Sequence, residues 1–325
     1  MKIAVTGAAG FIGFHLSSAL ASIGVEIVGI DSLPTDENNI SRLRARKLES
    51  SCEVKIVEMD LSKAKVEEIS QIISGCEIVI HLAAQAGVSN SVKFPEWYFA
   101  SNILGFNNIL QAVQITKPQK FVYASSSSVY GNQKDFLPFK ESFANGLNLN
   151  NFYGTTKWIN ELIAGSMYQN EEVKTIGLRF FTVYGEWGRP DMVYTIFARN
   201  LIENRHIEIY GENGGTRSFT HVSDVVAIIL KICKSQMQET NKVLNVGNPL
   251  TNSTRNLLEI LQQNIPSEST IMELPPRGYD AVFTQSENSQ LENLIGNHTF
   301  KDFERGVKDY ANWFLENYKT LYSRI

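Results

Sequence analysis

Tyr153-Gly154-Thr155-Thr156-Lys157 sets a phenol and an ammonium at i and i+4, on one face of a helix and within reach of one ligand. A tyrosine at its ordinary pKa of about 10 is a poor base at neutral pH. A neighbouring ammonium, joined by further positive charge, favours the phenolate and yields a general base suited to neutral conditions. Upstream, the hydroxyl cluster Ser125-Ser126-Ser127-Ser128 follows an apolar run, and one of its serines could donate or relay a proton to a reacting hydroxyl. Alone, a Tyr–Lys pair at this spacing fits an exposed helix face as well as a reactive site. Its company in the chain decides between them.

That company begins at the N-terminus. Lys2 to Thr6 reads as a short apolar strand, followed by Gly7-Ala8-Ala9-Gly10-Phe11-Ile12-Gly13, an amphipathic helix, and a second strand closing on Asp31. In this GxxGxxG spacing Gly7 can take the positive φ of a tight turn, Gly10 admits a pyrophosphate to the backbone, and Gly13 lets the helix lie close on the sheet. The helix start offers free N–H groups and the positive end of its dipole to phosphates. Asp31, eighteen residues beyond Gly13, would accept both ribose hydroxyls of an adenosine and repel a 2′-phosphate, which favours NAD over NADP. The expected cofactor set is Gly7, Gly10, Phe11, Ile12, Gly13 and Asp31, with Asp60-Leu61 covering the adenine. Leu82-Ala83-Ala84-Gln85 lies along ribose and phosphates, Asn102 and Ser125 join the set, and Tyr153 and Lys157 stand at the nicotinamide ribose.

Strand–helix alternation continues to Phe181, with strands at 54–57, 77–82, 120–124 and 175–181, a helix at 96–116, and another from about Phe152 to Tyr168. This predicts an α/β fold with a doubly wound parallel (Rossmann) sheet, its ligand crevice at the carboxyl ends of the strands. Beyond Phe181 the rhythm breaks. The expected division is a NAD-binding domain over 1–181, rejoined by 222–248, and a smaller C-terminal substrate-binding α/β cap over 182–221 and 249–325. Ser32 to Ser51, with Arg42, Arg44, Arg46 and Lys47, reads as a solvated helix-loop, the alternative being a flap near the adenosine. His81 reads as a buried structural histidine.

The 325 residues carry a net charge of −4, which gives no general pull toward nucleic acid or an anionic membrane. Cys52, Cys76 and Cys233 are odd in number and lack metal-ligand spacing, so no metal is expected and reduced thiols in a cytoplasmic protein are. No apolar run approaches the roughly 20 residues of a membrane span.

The whole chain resembles the extended short-chain dehydrogenase/reductase family. The matching stretches are TGAAGFIG (6–13), Asp31, Asp60-Leu61, HLAAQAGV (81–88), SNILGFNN (101–108), YASSSSVYG (123–131), YxxxK (153–157) and RSFTHVSDV (217–225). The resemblance makes Ser126 the catalytic hydroxyl beside Tyr153 and Lys157, with Ser127 a second contact. It makes Arg217 and Arg277 clamps for the diphosphate of a UDP-sugar, a role suited to bidentate guanidinium pairing. It also implies a homodimer joined through the helices at 96–116 and 152–168.

RFFTVYGEWGRPDM (179–192) and AAQAGV (83–88) resemble the UDP-glucuronate 4-epimerases within that family, which implies that Thr182 and Arg189 frame the sugar and its carboxylate. The chain departs from that subgroup in two places. Ser89-Asn90 replaces Arg-Tyr and removes a cation near the substrate. Glu186 replaces a proline and puts a carboxylate close to the proposed anion site. The expected reaction is reversible inversion at C4 of a UDP-hexuronic acid through a 4-keto intermediate. The alternatives are a 4-epimerase of neutral UDP-sugars, a 4,6-dehydratase, for which Ser127-Ser128 lack the carboxylate pair, and a non-catalytic NAD-binding protein.

Overall fold

Seven parallel strands form the central sheet of this computed structural model, which describes residues 1–133, 137–167, 173–237, 239–278 and 281–322. In chain order they are β1 (Lys2–Thr6), β2 (Glu26–Asp31), β3 (Ile56–Glu58), β4 (Ile78–His81), β5 (Lys120–Ser126), β6 (Lys174–Phe180) and the edge strand Asn241–Val246. Their spatial order is β3-β2-β1-β4-β5-β6-edge, so chain direction reverses its march between β1 and β4. A crevice opens at such a switch point, outside the carboxyl ends of the strands. Both faces are covered, which is why β1 and β4 are apolar almost throughout. Alternate residues serve different layers. Ile3 and Val5 pack with Phe14, Val225 and Ile229, whereas Ala4 and Val79 pack with Phe106, Ile109 and Phe121.

Three helices flank the first half, α1 (Phe11–Ser22), α2 (Ile40–Cys52) and α3 (Val66–Ile73). The second half is flanked by Phe106–Thr116, Phe152–Met167 and Val222–Lys234. The last of these ends on a buried ammonium. Lys120 Nζ donates to the carbonyls of Ile232 (3.0 Å) and Cys233 (2.8 Å) in that helix's last turn. A separate core lies beyond the sheet, where Tyr194, Phe197 and Leu201 meet Leu257, Leu261, Val307, Tyr310 and Phe314. The helices Val193–Ile202, Thr254–Asn264 and Phe303–Leu321 supply it.

Two expectations are revised, and a third falls partly outside the described residues. The segment 96–116 is not one regular helix, because a π-helical stretch, Phe99–Gly105, precedes the α-helix at Phe106. The end of the Phe152 helix at Tyr168 lies outside the described residues. The basic cluster is only partly solvated. Arg42 and Arg46 pair with Glu58 and Glu37 at the surface, but Arg44 is 1% exposed. His81 is buried as expected, with Nδ1 2.8 Å from Thr6 Oγ1, and burial lowers its pKa to about 3. The three cysteines are unpaired, and among the described residues no helix is long and apolar enough to cross a membrane.

Candidate active site

The strand ends open into a cleft of about 1040 Å³ that runs from the glycine turn to Arg277. Gly7, Gly10, Phe11, Ile12 and Gly13 line one end. Gly7 has φ +67°, and a Cβ there would stand 2.7 Å from the Ala83 nitrogen, while one on Gly13 would stand 2.0 Å from the Gly7 oxygen. Turn, helix start and the end of β4 therefore pack backbone on backbone. No side chain caps the first turn of α1, whose N–H groups have no acceptor within the helix and can meet an anion. This cradle fits a dinucleotide diphosphate.

Leu82, Ala84, Ser125, Tyr153 and Lys157 line the same cleft, whereas Asp31, Asp60, Leu61, Ala83, Gln85 and Asn102 do not. Asp31 braces the turn, with Oδ2 accepting from Ala9 N at 3.0 Å and Oδ1 from Leu33 N at 3.3 Å. Burial raises its pKa, against the pull of those N–H groups. Asp60 accepts from Ser62 and pairs with Lys63 at 3.2 Å, and Leu61 is buried in the core. The Asn102 amide is engaged on both sides. It accepts from Gln85 N (2.8 Å) and donates to Gln85 O and Thr156 Oγ1 (both 3.0 Å), so it holds the loop that follows β4.

The reactive groups meet through a close helix contact. A Cβ on Gly154 would lie 2.5 Å from the Ser128 oxygen, so glycine lets the Phe152–Met167 helix rest on the 127–130 turn. The Tyr153 phenol thereby shares the cleft with the Ser126 hydroxyl, which acts to lower its pKa. Ser126 Oγ accepts from Ser128 N at 3.1 Å. Lys157, 1% exposed, donates from Nζ to Ala124 O at 2.9 Å. The expected lowering of the tyrosine by this lysine is not what the structure shows. Burial holds the Tyr153 phenol above its ordinary value, and the groups that oppose this are Ser126 and the Arg189 guanidinium. Burial also pulls Lys157 down to about 8, with Glu161 partly restoring it. Ser125 donates to Glu161 Oε1 at 2.5 Å.

Thr182, Ser127, Ser89 and Asn90 line the same cleft. Arg189 lies there too, gripped by Asp191 through Nε–Oδ1 and Nη2–Oδ2 bonds of 2.9 Å each. The pair rests against Gly87, where a Cβ would come within 3.2 Å of both groups. At the far end, Arg217 Nη1 donates to Thr216 O and Val282 O at 3.1 Å, and the Arg277 guanidinium stacks 3.5 Å over the Tyr210 ring. Glu186 does not face the anion site, contrary to expectation. Its carboxylate points into a separate hollow, 3.4 Å from His221 Nε2, and this contact lowers it to about 2 despite burial. Residues not singled out from sequence include Tyr98, whose hydroxyl is within 2.9 and 2.6 Å of the Ala86 and Gly87 carbonyls, and the buried pair Glu161–Arg179. Glu161 was within reach of sequence reasoning, since it falls one turn beyond Lys157 on the same helix face.

Fold and cleft define the class, a dinucleotide-dependent enzyme of the Rossmann type. More narrowly, the chain belongs to the NAD dependent epimerase/dehydratase family, whose model matches residues 3–247. It is 35% identical to UDP-glucuronate 4-epimerase 1 of Arabidopsis thaliana, covering 98% of this chain and 77% of that one. It is 34% identical to Protein CapI of Staphylococcus aureus, covering 98% and 100%. Among solved structures, the UDP-glucuronic acid 4-epimerase of Bacillus cereus, in complex with UDP-glucuronic acid and NAD, superposes with a TM-score of 0.89. That chain is 27% identical, with 98% of this chain and 100% of that one covered.

Proposed function

We propose that the protein interconverts UDP-glucuronate and UDP-galacturonate by inversion at C4 with bound NAD, through a transient 4-keto sugar. The observation that carries this reading is the Arg189 guanidinium, which lines the same cleft as Tyr153 and acts on that phenol's titration, so that the cleft combines a cation with the reactive phenol. Gly7, Gly10 and Gly13 with the N–H groups of Phe11 and Ile12 hold the diphosphate of NAD, and Asp31 its adenosine ribose. When bound, NAD takes and returns the C4 hydride and adds positive charge to the cleft. Tyr153 accepts the 4-hydroxyl proton and returns it after the sugar has turned about its diphosphate linkage, while Ser126 holds the oxygen by a hydrogen bond. Arg217 and Arg277 grip the UDP, and Thr182 and Ser127 steady the sugar. Strong contacts at the nucleotide and few at the ring allow that rotation.

With a C6 carboxylate the 4-keto sugar is a β-keto acid, which loses CO2 when the breaking C–C bond aligns with the carbonyl π system. Arg189 and Thr182 prevent this by fixing the carboxylate. Arg189→Ala is expected to raise KM for UDP-glucuronate about tenfold or more, as loss of a charge-assisted hydrogen bond implies, and to release UDP-pentose. Unchanged kinetics with no pentose in the product would remove the assignment. A second reading, epimerisation of neutral UDP-sugars, is favoured by Asp191, which already balances the Arg189 charge. Incubation with UDP-glucuronate and, separately, UDP-glucose, read by proton NMR, distinguishes them. UDP-galacturonate is the expected product, and turnover of UDP-glucose alone would overturn the reading.

The assignment divides the chain into a NAD-binding domain over 1–181 with 222–248 and a sugar-nucleotide domain over 182–221 with 249–325. The free thiols accord with action in the cytoplasm. Trp97, Phe99, Leu104 and Leu162 leave an apolar face on the two helical segments, 44–55% exposed. A second copy is its proposed cover, and sedimentation is expected to report a dimer that Leu162→Glu shifts toward monomer.

A further inference from the structure

Arg44 lies on the buried face of α2, in line with Ile40 and Leu48, and ends between two backbone segments far apart in sequence. It is 1% exposed. Nη1 donates to the Ala9 carbonyl at 3.2 Å, Nε to the Trp187 carbonyl at 3.1 Å, and Nη2 to the Gly188 carbonyl at 3.2 Å. Ala9 belongs to the glycine turn, and its N–H is already fixed by Asp31. Trp187 and Gly188 lead directly into Arg189. Trp187 has φ +56°, a backbone conformation that non-glycine residues seldom keep without outside support. Its ring packs on Phe14 and Trp313 at 5.2 and 6.0 Å, and the Tyr322 hydroxyl donates to Gly188 O at 2.9 Å. Only Arg44, among the groups just named, bonds to both the glycine turn and the 187–188 carbonyls.

We propose that Arg44 is a positioning residue which clamps the cofactor turn to the sugar-binding segment, so that the spacing set by one bound partner favours binding of the other. This rests on the reading that the turn holds NAD and the 182–192 segment the sugar. The chemistry suits the task. A guanidinium is a rigid planar fork with five donors, able to span three carbonyls in fixed geometry, whereas an ammonium is a point charge on a flexible stem. Burying the charge among carbonyls costs solvation, and it lowers the guanidinium to about 10. A surface helix contact would not need that cost. A strut between two ligand-binding segments would.

The test measures linkage rather than stability. The full chain carrying Tyr153→Phe, which blocks turnover, is freed of NAD and titrated with NAD in the presence and absence of saturating UDP-glucuronate. The expected result is that UDP-glucuronate tightens NAD binding at least about fivefold, the lower end of ordinary coupling between sites. Arg44→Met, similar in length but without donors, and Arg44→Lys, which keeps the charge, are each expected to bring the ratio near one. Tyr322→Phe releases Gly188 without touching the glycine turn and is expected to keep the parent ratio. A purely structural arginine would lower the melting temperature of its variants and leave the ratio alone. A parent ratio of one, or an unchanged ratio in either folded Arg44 variant, overturns the inference. If Arg44→Met does not fold, Arg44→Lys decides. Failure of the parent to bind NAD at all would instead remove the underlying reading, and the clamp with it.

Discussion

Tyr153→Phe is expected to lower kcat by about 10²–10⁴-fold, the range associated with a positioned general acid–base group, while the fold and NAD retention persist. The substitution deletes one oxygen from a ring that keeps its contact with Tyr98, whose centroid lies 6.1 Å away. Ser126 keeps its bond from Ser128 N, so its rotamer has an anchor. What is lost, in the proposed mechanism, is the acceptor for the C4 hydroxyl proton. Burial raises the phenol above its ordinary value in the protein alone, so its activation depends on positive charge gathered in the cleft. Lys157, assigned to the nicotinamide ribose, offers its full charge there only while protonated, and its pKa is pulled down to about 8. For the wild type, kcat/KM is therefore expected to fall as pH rises through about 8. The same shift has a stability consequence of opposite sense. From about 8 to the ordinary lysine value near 10.5, the unfolded chain holds more protons than the folded one, so the contribution of Lys157 to stability rises with pH across that window. A Tyr153→Phe variant retaining more than a tenth of wild-type kcat would dismiss the phenol as the proton acceptor.

The parts of the site that were legible in the sequence are those whose geometry is local. Gly7 to Gly13 and the Tyr153–Lys157 spacing fix turn and helix geometry within a few residues, and parallel strands announce themselves by apolar runs such as Ile78–Ile80. The illegible parts depend on who arrives from elsewhere. Arg44 looks solvated because its neighbours Arg42 and Arg46 are paired at the surface. Its acceptors lie 35 and 143 residues away. Glu186 follows Gly185 in a segment that borders both the cleft and the hollow beside α1, and sequence alone does not say which side it takes. His221 decides it. Asp191 was closer to view, two residues after Arg189, but a carboxylate beside an arginine becomes a bidentate partner only in one loop conformation.

Behind the reactive groups stands a buried ion pair, and breaking it is the second large effect expected. Arg179 grips Glu161 through Nε–Oε1 (2.9 Å) and Nη2–Oε2 (2.7 Å), with both side chains no more than 5% exposed. Its remaining donors reach Tyr130 Oη at 3.0 Å and Glu141 O at 2.8 Å. Ser125, next to Ser126, donates to the same carboxylate. Arg179→Met leaves that carboxylate buried with a hydroxyl as its partner and is expected to cost about 3–5 kcal/mol in denaturant unfolding. The double variant Arg179→Met with Glu161→Leu removes both charges and is expected to recover most of that loss, because apolar replacement of a whole buried pair is often neutral. The pair also bears on chemistry. Glu161 raises the pKa of Lys157 and anchors the strand end that carries Ser126. In the double variant the alkaline fall of kcat/KM is therefore expected to move below the wild-type position even where stability returns. A purely structural pair would return both together. Restored stability with a displaced pH limb separates the two roles of Glu161, as support for the fold and as the counter-charge that keeps Lys157 protonated.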